Sequence, residues 1–117
     1  MSGSDRYEVR FDPEALRDLR RIADYMTEVR GPDDAEALVR AIIERADALQ
    51  TFPLRGGTLK ELLHMENSIL RQVIYRHYRI VYAVFESVVT VLMVVDGRRD
   101  LRPLFRDRLG AADPPPA

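Results

Sequence analysis

Residues 70–101, LRQVIYRHYRIVYAVFESVVTVLMVVDGRRDL, hold three runs of β-branched, aromatic and aliphatic side chains parted by breaks of two residues. Such side chains suit a pleated, largely buried surface. The runs predict strands over about Ile69–Tyr75, Tyr78–Phe85 and Val88–Val95, with turns at Arg76-His77 and Glu86-Ser87. A break this short returns the chain antiparallel, because a parallel return needs a crossover of about a dozen residues or more. Any fold open to this chain therefore contains an antiparallel meander.

Strict alternation sets Tyr78, Ile80, Tyr82 and Val84 against Arg79, Val81, Ala83 and Phe85. It likewise sets Val89, Val91, Met93 and Val95 against Val88, Thr90, Leu92 and Val94. Neither side is polar throughout, whereas a sheet with one wet face alternates apolar and polar residues. One face is expected to pack on the chain's own helices. The other is expected under the end of the chain, a partner, or both; a sheet buried wholly within the monomer is the competing reading.

Arg6–Phe11 alternates as a half-buried strand, with Tyr7, Val9 and Phe11 on one side. Asp12-Pro13-Glu14 is a helix start, with Asp12 as cap and Pro13 in the first turn. The first helix carries Leu16, Leu19, Ile22, Ala23 and Met26 as its apolar stripe, and Arg17, Asp18, Arg20, Arg21, Asp24 and Glu28 opposite. Gly31-Pro32 stops it. A second helix begins at Asp33-Asp34, favourable at a positive helix end. It runs through Ala35, Leu38, Val39, Ile42, Ile43, Ala46, Leu49 and Phe52 to Pro53. The short link predicts an antiparallel helical hairpin.

Leu54–Ser68 is a connector in which Leu59, Leu62 and Leu63 suit either a helical turn or an edge strand. A short amphipathic helix is expected over Leu101–Leu109, and a disordered tail over residues 111–117, with three successive prolines. The expected fold class is α+β, a single domain over residues 1–110: N-terminal strand, antiparallel helical hairpin, three-stranded antiparallel meander and short C-terminal helix. The pairing of the first strand is left open.

Net charge is −1, unevenly placed. Residues 1–54 hold 8 Arg against 12 acids, a balance of −4, and residues 55–109 hold 10 basic residues against 6 acids, a balance of +4. Positive charge in the sheet half permits a local anionic partner without the strongly basic character of a general nucleic-acid binder. Every basic residue except Lys60 is Arg. Arg is favoured where carboxylate or phosphate is gripped by a fork of donors, though biased codon use gives the same composition. With no cysteine, disulfides and thiol chemistry are excluded. The two His, far apart in sequence, and the absence of clustered acids or a Gly-rich phosphate loop predict neither metal nor cofactor. No secretory signal or membrane span is expected, and a bacterial cytoplasmic location fits.

Phe52-Pro53, Gly56 or Gly57, Leu70-Arg71, Tyr78-Arg79-Ile80-Val81-Tyr82 and Gly97-Arg98-Arg99-Asp100-Leu101 follow one another in an order that resembles the RelE/ParE toxin superfamily, and within it the ParE branch. The resemblance covers Tyr7 to about Leu109. It departs from the family at Asp96, where His often precedes the Gly-Arg-Arg-Asp segment. What it implies is the toxin of a bacterial type II toxin–antitoxin pair. ParE-like members are described as inhibitors of DNA gyrase and RelE-like members as nucleases that cut messenger RNA on the ribosome. Both are silenced by a cognate antitoxin whose C-terminal segment wraps the toxin, in the ParE case usually carrying a ribbon-helix-helix DNA-binding part.

Cutting RNA through its own 2′-hydroxyl needs a base, an acid and cations for the charge developing on phosphate. Arg71, Arg79, Arg98 and Arg99 supply cations but, as arginines, are poor proton shuttles. RelE-like nucleases usually carry Tyr or His near the C-terminus, and beyond Tyr82 this chain has neither. His77 falls in a turn, His64 in the connector, and Tyr75, Tyr78 and Tyr82 read as sheet residues. The expectation is therefore a protein inhibitor of gyrase with no catalytic residue. Arg71, Arg79, Arg98, Arg99 and Arg102 are expected to meet the target; Leu16, Leu19, Leu101, Leu104 and Phe105 are expected to receive the antitoxin. A ribosome-dependent endoribonuclease and a non-toxic assembly partner are the alternatives.

Overall fold

The computed structural model describes residues 6–62 and 69–109. His64, Leu63 and the tail at 111–117 lie outside them. β1 (Glu8–Phe11) is followed by α1 (Pro13–Arg30) and α2 (Pro32–Asp47), then by two single 3-10 turns, Ala48–Gln50 and Lys60–Leu62. The meander follows as β2 (Leu70–Tyr75), β3 (Tyr78–Phe85) and β4 (Val88–Asp96), and α3 (Arg102–Leu109) closes the order. The expected α+β class and its element order are present.

Local chemistry explains the boundaries. The Asp12 carboxylate accepts the Glu14 N–H at 3.0 Å, with Pro13 at the first helical position. Gly31 ends α1 at φ 104°, a conformation that favours glycine, and donates its N–H to the Met26 and Thr27 carbonyls. Pro32 starts α2 immediately afterwards, so the hairpin turns on one residue. α2 gives way to a 3-10 turn after Asp47, short of Pro53, which leaves Phe52 exposed rather than on the helix stripe.

The sheet order is β1-β4-β3-β2. β2 and β4 flank β3 antiparallel, while β1 joins the outer side of β4 in parallel, Glu8 opposite Val88 and Phe11 opposite Val91. One face packs on the hairpin: Ala15, Leu19, Leu38, Ile42, Ala46 and Leu49 meet Val73, Tyr78, Ile80, Tyr82, Val89, Val91 and Val94. The other face carries a smaller core of Leu59, Val81, Met93, Leu101 and Phe105, so the connector and the end of the chain cover it. Each such Leu, Ile, Val, Met or Phe side chain contributes roughly 1.5–3 kcal/mol through burial.

Two expectations are corrected here. Strict alternation put Val91, Met93 and Val95 on one side of β4. Val81 pairs Met93 while Tyr82 pairs Val91, which leaves Leu92 as an extra residue in a β-bulge. The bulge reverses the phase, so Val89, Val91 and Val94 face the helices while Met93 and Val95 face α3. On α1, Leu16 is 51% exposed and Asp18 is 4% exposed, the reverse of the expected placement. Asp18 lies three residues after buried Ala15 and four before Ile22, on the inward arc of the helix.

Candidate functional site

At one end of the sheet, α1 and α3 stand apart and leave an open groove of about 680 Å³. Ile22, Tyr25 and Met26 of α1 form one wall, and Leu101, Pro103 and Leu104 the other. Its floor and rim come from His77, Tyr78, Val94 and Asp96 of the sheet and from Arg98 and Arg99 just beyond β4. At one end of the groove the Asp18 carboxylate takes Arg108 on both oxygens at 2.6 Å, the Val94 N–H at 2.9 Å and Arg21 at 3.0 Å. This pairing ties α3 to α1 and β4. Val94 lies beyond the last residue paired to β1, so the carboxylate supplies the acceptor that a continued β1 would have provided.

The groove carries both signs: Arg21, Arg98, Arg99 and Arg108 line it beside Asp18, Asp96, Asp100 and Asp107. Asp96 accepts the Arg98 side chain at 3.0 and 2.8 Å and the Arg98 backbone N–H at 3.0 Å. The Arg98 side-chain bonds hold the Asp96 carboxyl down to about 2. Arg102 bonds Asp100 at 3.1 and 3.2 Å. The Arg99 side chain is exposed and has no ion-pair partner among the described residues. His77 sits half-exposed with Nε2 4.0 Å from Asp96 and its ring centroid 4.2 Å from that of Tyr78. Burial raises the Tyr78 hydroxyl pKa.

The other expected target residues serve the fold's interior. Arg79 is 5% exposed and grips Glu61 at 2.6 and 2.7 Å and the Gln72 amide oxygen at 2.6 Å. The Arg79 hydrogen bonds hold the Glu61 carboxyl below its usual range against the opposing effect of burial. Arg71 donates to the Leu54 and Gly56 carbonyls at 3.2 and 2.8 Å and so holds the connector to the sheet. Sequence reasoning grouped all these arginines by charge. The groove gathers Arg98 and Arg99, Arg102 stands exposed next to Leu101, and Arg71 and Arg79 lie elsewhere.

Among the residues expected to receive an antitoxin, Leu19, Leu101 and Phe105 are buried in the chain's own cores. Leu16 is exposed and Leu104 lines the groove half-buried. Tyr25, 63% exposed on a groove wall, was missed, as was the Asp18–Arg108 pair. Helical spacing places Tyr25 three residues after Ile22, a signal that was available. Tyr82 is fully buried, its hydroxyl accepting the Gly56 N–H at 3.0 Å and donating to the Pro53 carbonyl at 2.8 Å. A Cβ on Gly56 would lie 2.5 Å from the Gln72 carbonyl oxygen and the Tyr82 hydroxyl, which explains a glycine there. Among the described residues no group of three or more His, Asp or Glu comes together that could hold a metal ion. No helix among them is long and apolar enough to cross a membrane.

The order of these elements and their motifs has a counterpart among known families. The model described as ParE toxin of the type II toxin–antitoxin system parDE matches residues 9–101. The chain belongs to the ParE toxin family. Solved structures agree on the fold of this ParE-family chain. The chromosomal ParDE toxin–antitoxin system from P. aeruginosa is 20% identical with a TM-score of 0.66, covering 79% of this chain and 97% of that one. The RelBE2 toxin–antitoxin complex of Mycobacterium tuberculosis is 25% identical with a TM-score of 0.58, covering 78% and 91%. A double arginine-to-alanine variant of the E. coli toxin RelE in the free state is 20% identical with a TM-score of 0.54, covering 90% and 96%. Comparison with curated protein sequences finds no match.

Proposed function

We propose that this ParE-family toxin inhibits DNA gyrase by docking on it and is silenced by a cognate antitoxin of ribbon-helix-helix type. The observation that carries this reading is the pair of exposed arginines, Arg98 and Arg99, at the mouth of a groove with apolar walls. Arg102 stands beside them, paired with Asp100. Such a surface meets an acidic protein patch, where opposite potentials speed encounter and fix register. The family match favours the ParE branch, and the internal bonds of the Tyr82 hydroxyl remove it from proton transfer.

The antitoxin follows from the solved relatives, of which two are toxin–antitoxin systems. A segment that folds on binding pays its ordering entropy and needs an apolar track to offset it. The groove walls with Leu104 and Tyr25 supply one; Leu16, exposed on α1, lies outside the groove.

One feature favours a second reading, ribosome-dependent cleavage of messenger RNA. His77 shares the groove with Arg98 and Arg99, and a histidine is the side chain that moves protons near neutral pH. Supercoiling by purified gyrase, run beside translation-dependent RNA cleavage, separates the two. Lost supercoiling with intact message supports docking; cleaved message with unaffected supercoiling refutes it.

A further inference from the structure

A second recess, of about 330 Å³, opens on the α3-covered face of the sheet beside Arg79. Thr58, Lys60, Gln72, Arg76, His77 and Arg98 line it, and among the described residues no acid does. Arg98 is already paired with Asp96, whereas Lys60 and Arg76 are exposed and have no ion-pair partner among the described residues. Inside, Arg79 is fixed from every side. Its stem packs where a Cβ on Gly97 would come within 2.6 Å, its guanidinium lies 5.7 Å from the Phe105 ring centroid, and Gln72 takes its Nε–H.

The anion it holds is the chain's own Glu61, in a two-pronged contact with both side chains under 10% exposed. Glu61 rides on a 3-10 turn of three residues, too short to hold itself together. Nearby, the connector is anchored by buried Leu59 and by the Gly57–Gln72 bridge. A buried ion pair is a poor source of net stability, because desolvation of both charges offsets their attraction. A rigid arginine whose counter-charge sits on a marginal turn is better suited to exchanging that counter-charge.

We propose that the Arg79 fork, beside this recess, is a docking site for an acidic side chain of a protein partner, and that Glu61, which does not itself line the recess, is the fork's intramolecular partner until it is displaced. The proposal rests on the protein-docking reading and names the partner's chemistry at a point outside the groove. Glu61 itself demonstrates that a carboxylate fits the fork, the geometry in which arginine recognises carboxylates. Lys60 and Arg76 add positive potential at the mouth. A polynucleotide is less well served, since among the described residues His77 is the one ring in the lining and no Phe, Tyr or Trp offers a base a stacking platform.

The test is binding of a fluorescent oligoglutamate peptide, with an oligouridylate of equal charge beside it, to the full chain and its variants. A tethered occupant competes at an effective concentration of order millimolar, so Glu61→Gln is expected to tighten oligoglutamate binding about tenfold. Glu61→Gln with Arg79→Gln is expected to return it to the wild-type value. Unchanged binding in a folded Glu61→Gln chain overturns the proposal, as does a gain that survives loss of Arg79 or that is larger for oligouridylate. If Glu61→Gln does not fold, the Arg79 Nε–H resonance of the wild-type chain reads the same exchange: a saturable shift with oligoglutamate supports it, and no shift overturns it. Gyrase supercoiling with the same proteins keeps the two readings apart. Inhibition without the peptide effect sinks only the Arg79 site, and the peptide effect without inhibition sinks only the gyrase target.

Discussion

Asp18 and Arg108, 90 residues apart in sequence, meet in a two-pronged ion pair with both N···O distances at 2.6 Å. Asp18 also takes the Val94 N–H, so one carboxylate joins α1, β4 and α3 and sets the spacing of the groove walls.

Removing that carboxylate strands a guanidinium and a backbone N–H together. Asp18→Ala is expected to cost about 3–5 kcal/mol in urea unfolding, the range for breaking one side of a buried pair. Arg108→Ala should cost less, because Asp18 keeps Val94 and Arg21 as partners. Equal losses would mean that the bond to Val94 contributes little.

The Tyr82 hydroxyl bridges the connector to the sheet. Tyr82→Phe leaves the buried Gly56 N–H without its acceptor and should cost about 1–3 kcal/mol. Gly56→Ala should cost a similar amount by overpacking against the Gln72 carbonyl and the same hydroxyl. Thermal melts of the single and double variants read both, and the clash at Gly56 should shrink once the hydroxyl is gone.

Asp96 carries a pH dependence. Its carboxyl lies at about 2 when folded, against 3.8 ordinarily, chiefly through the Arg98 side chain. The unfolded state therefore takes up this proton first as pH falls. The contribution is complete above about pH 5 and is lost as pH falls through the ordinary value of 3.8 toward about 2. Asp96→Asn should flatten that part of the stability curve while leaving the curve above pH 5, roughly, parallel to wild type. Curves of identical slope below pH 4, roughly, would remove Asp96 from the account.

Both hairpin turns place a non-glycine residue in left-handed backbone, Arg76 at φ 56° and Glu86 at φ 55°. That conformation costs an L-residue roughly 1–2 kcal/mol, part of which glycine returns through its greater freedom when unfolded. Glu86→Gly at this exposed turn should stabilise the chain by about 0.5–1 kcal/mol. The midpoint in urea checks it, and a loss of stability would indicate that Glu86 has a role beyond its backbone.

What the sequence made legible was local. Two-residue breaks marked the strands, Asp12-Pro13 marked a cap, and Gly31-Pro32 marked the hinge of the hairpin. The bulge at Leu92 was not legible, because a run apolar on both sides gives no phase from which to notice a slip. Parallel pairing of β1 with β4 depends on the hairpin folding back between them, which no local pattern records. Arg71 and Arg79 looked like surface charge because their partners, the Leu54 and Gly56 carbonyls and Glu61, lie in a connector whose path only the folded chain defines. Asp18 was the avoidable miss: its spacing was that of a core position, and its charge drew it to the wrong face.

The central proposal is that this chain acts by docking through exposed Arg98 and Arg99 at the groove mouth rather than through chemistry. The most direct measurement is gyrase supercoiling titrated with the wild-type chain and with Arg98→Ala, Arg99→Ala together, both proteins first shown to melt alike. Inhibition by the wild type, weakened about tenfold or more in the double variant, is the predicted result, the range expected when a charged contact with a partner is lost. Equal inhibition by both proteins, or cleaved message with supercoiling untouched, would contradict it.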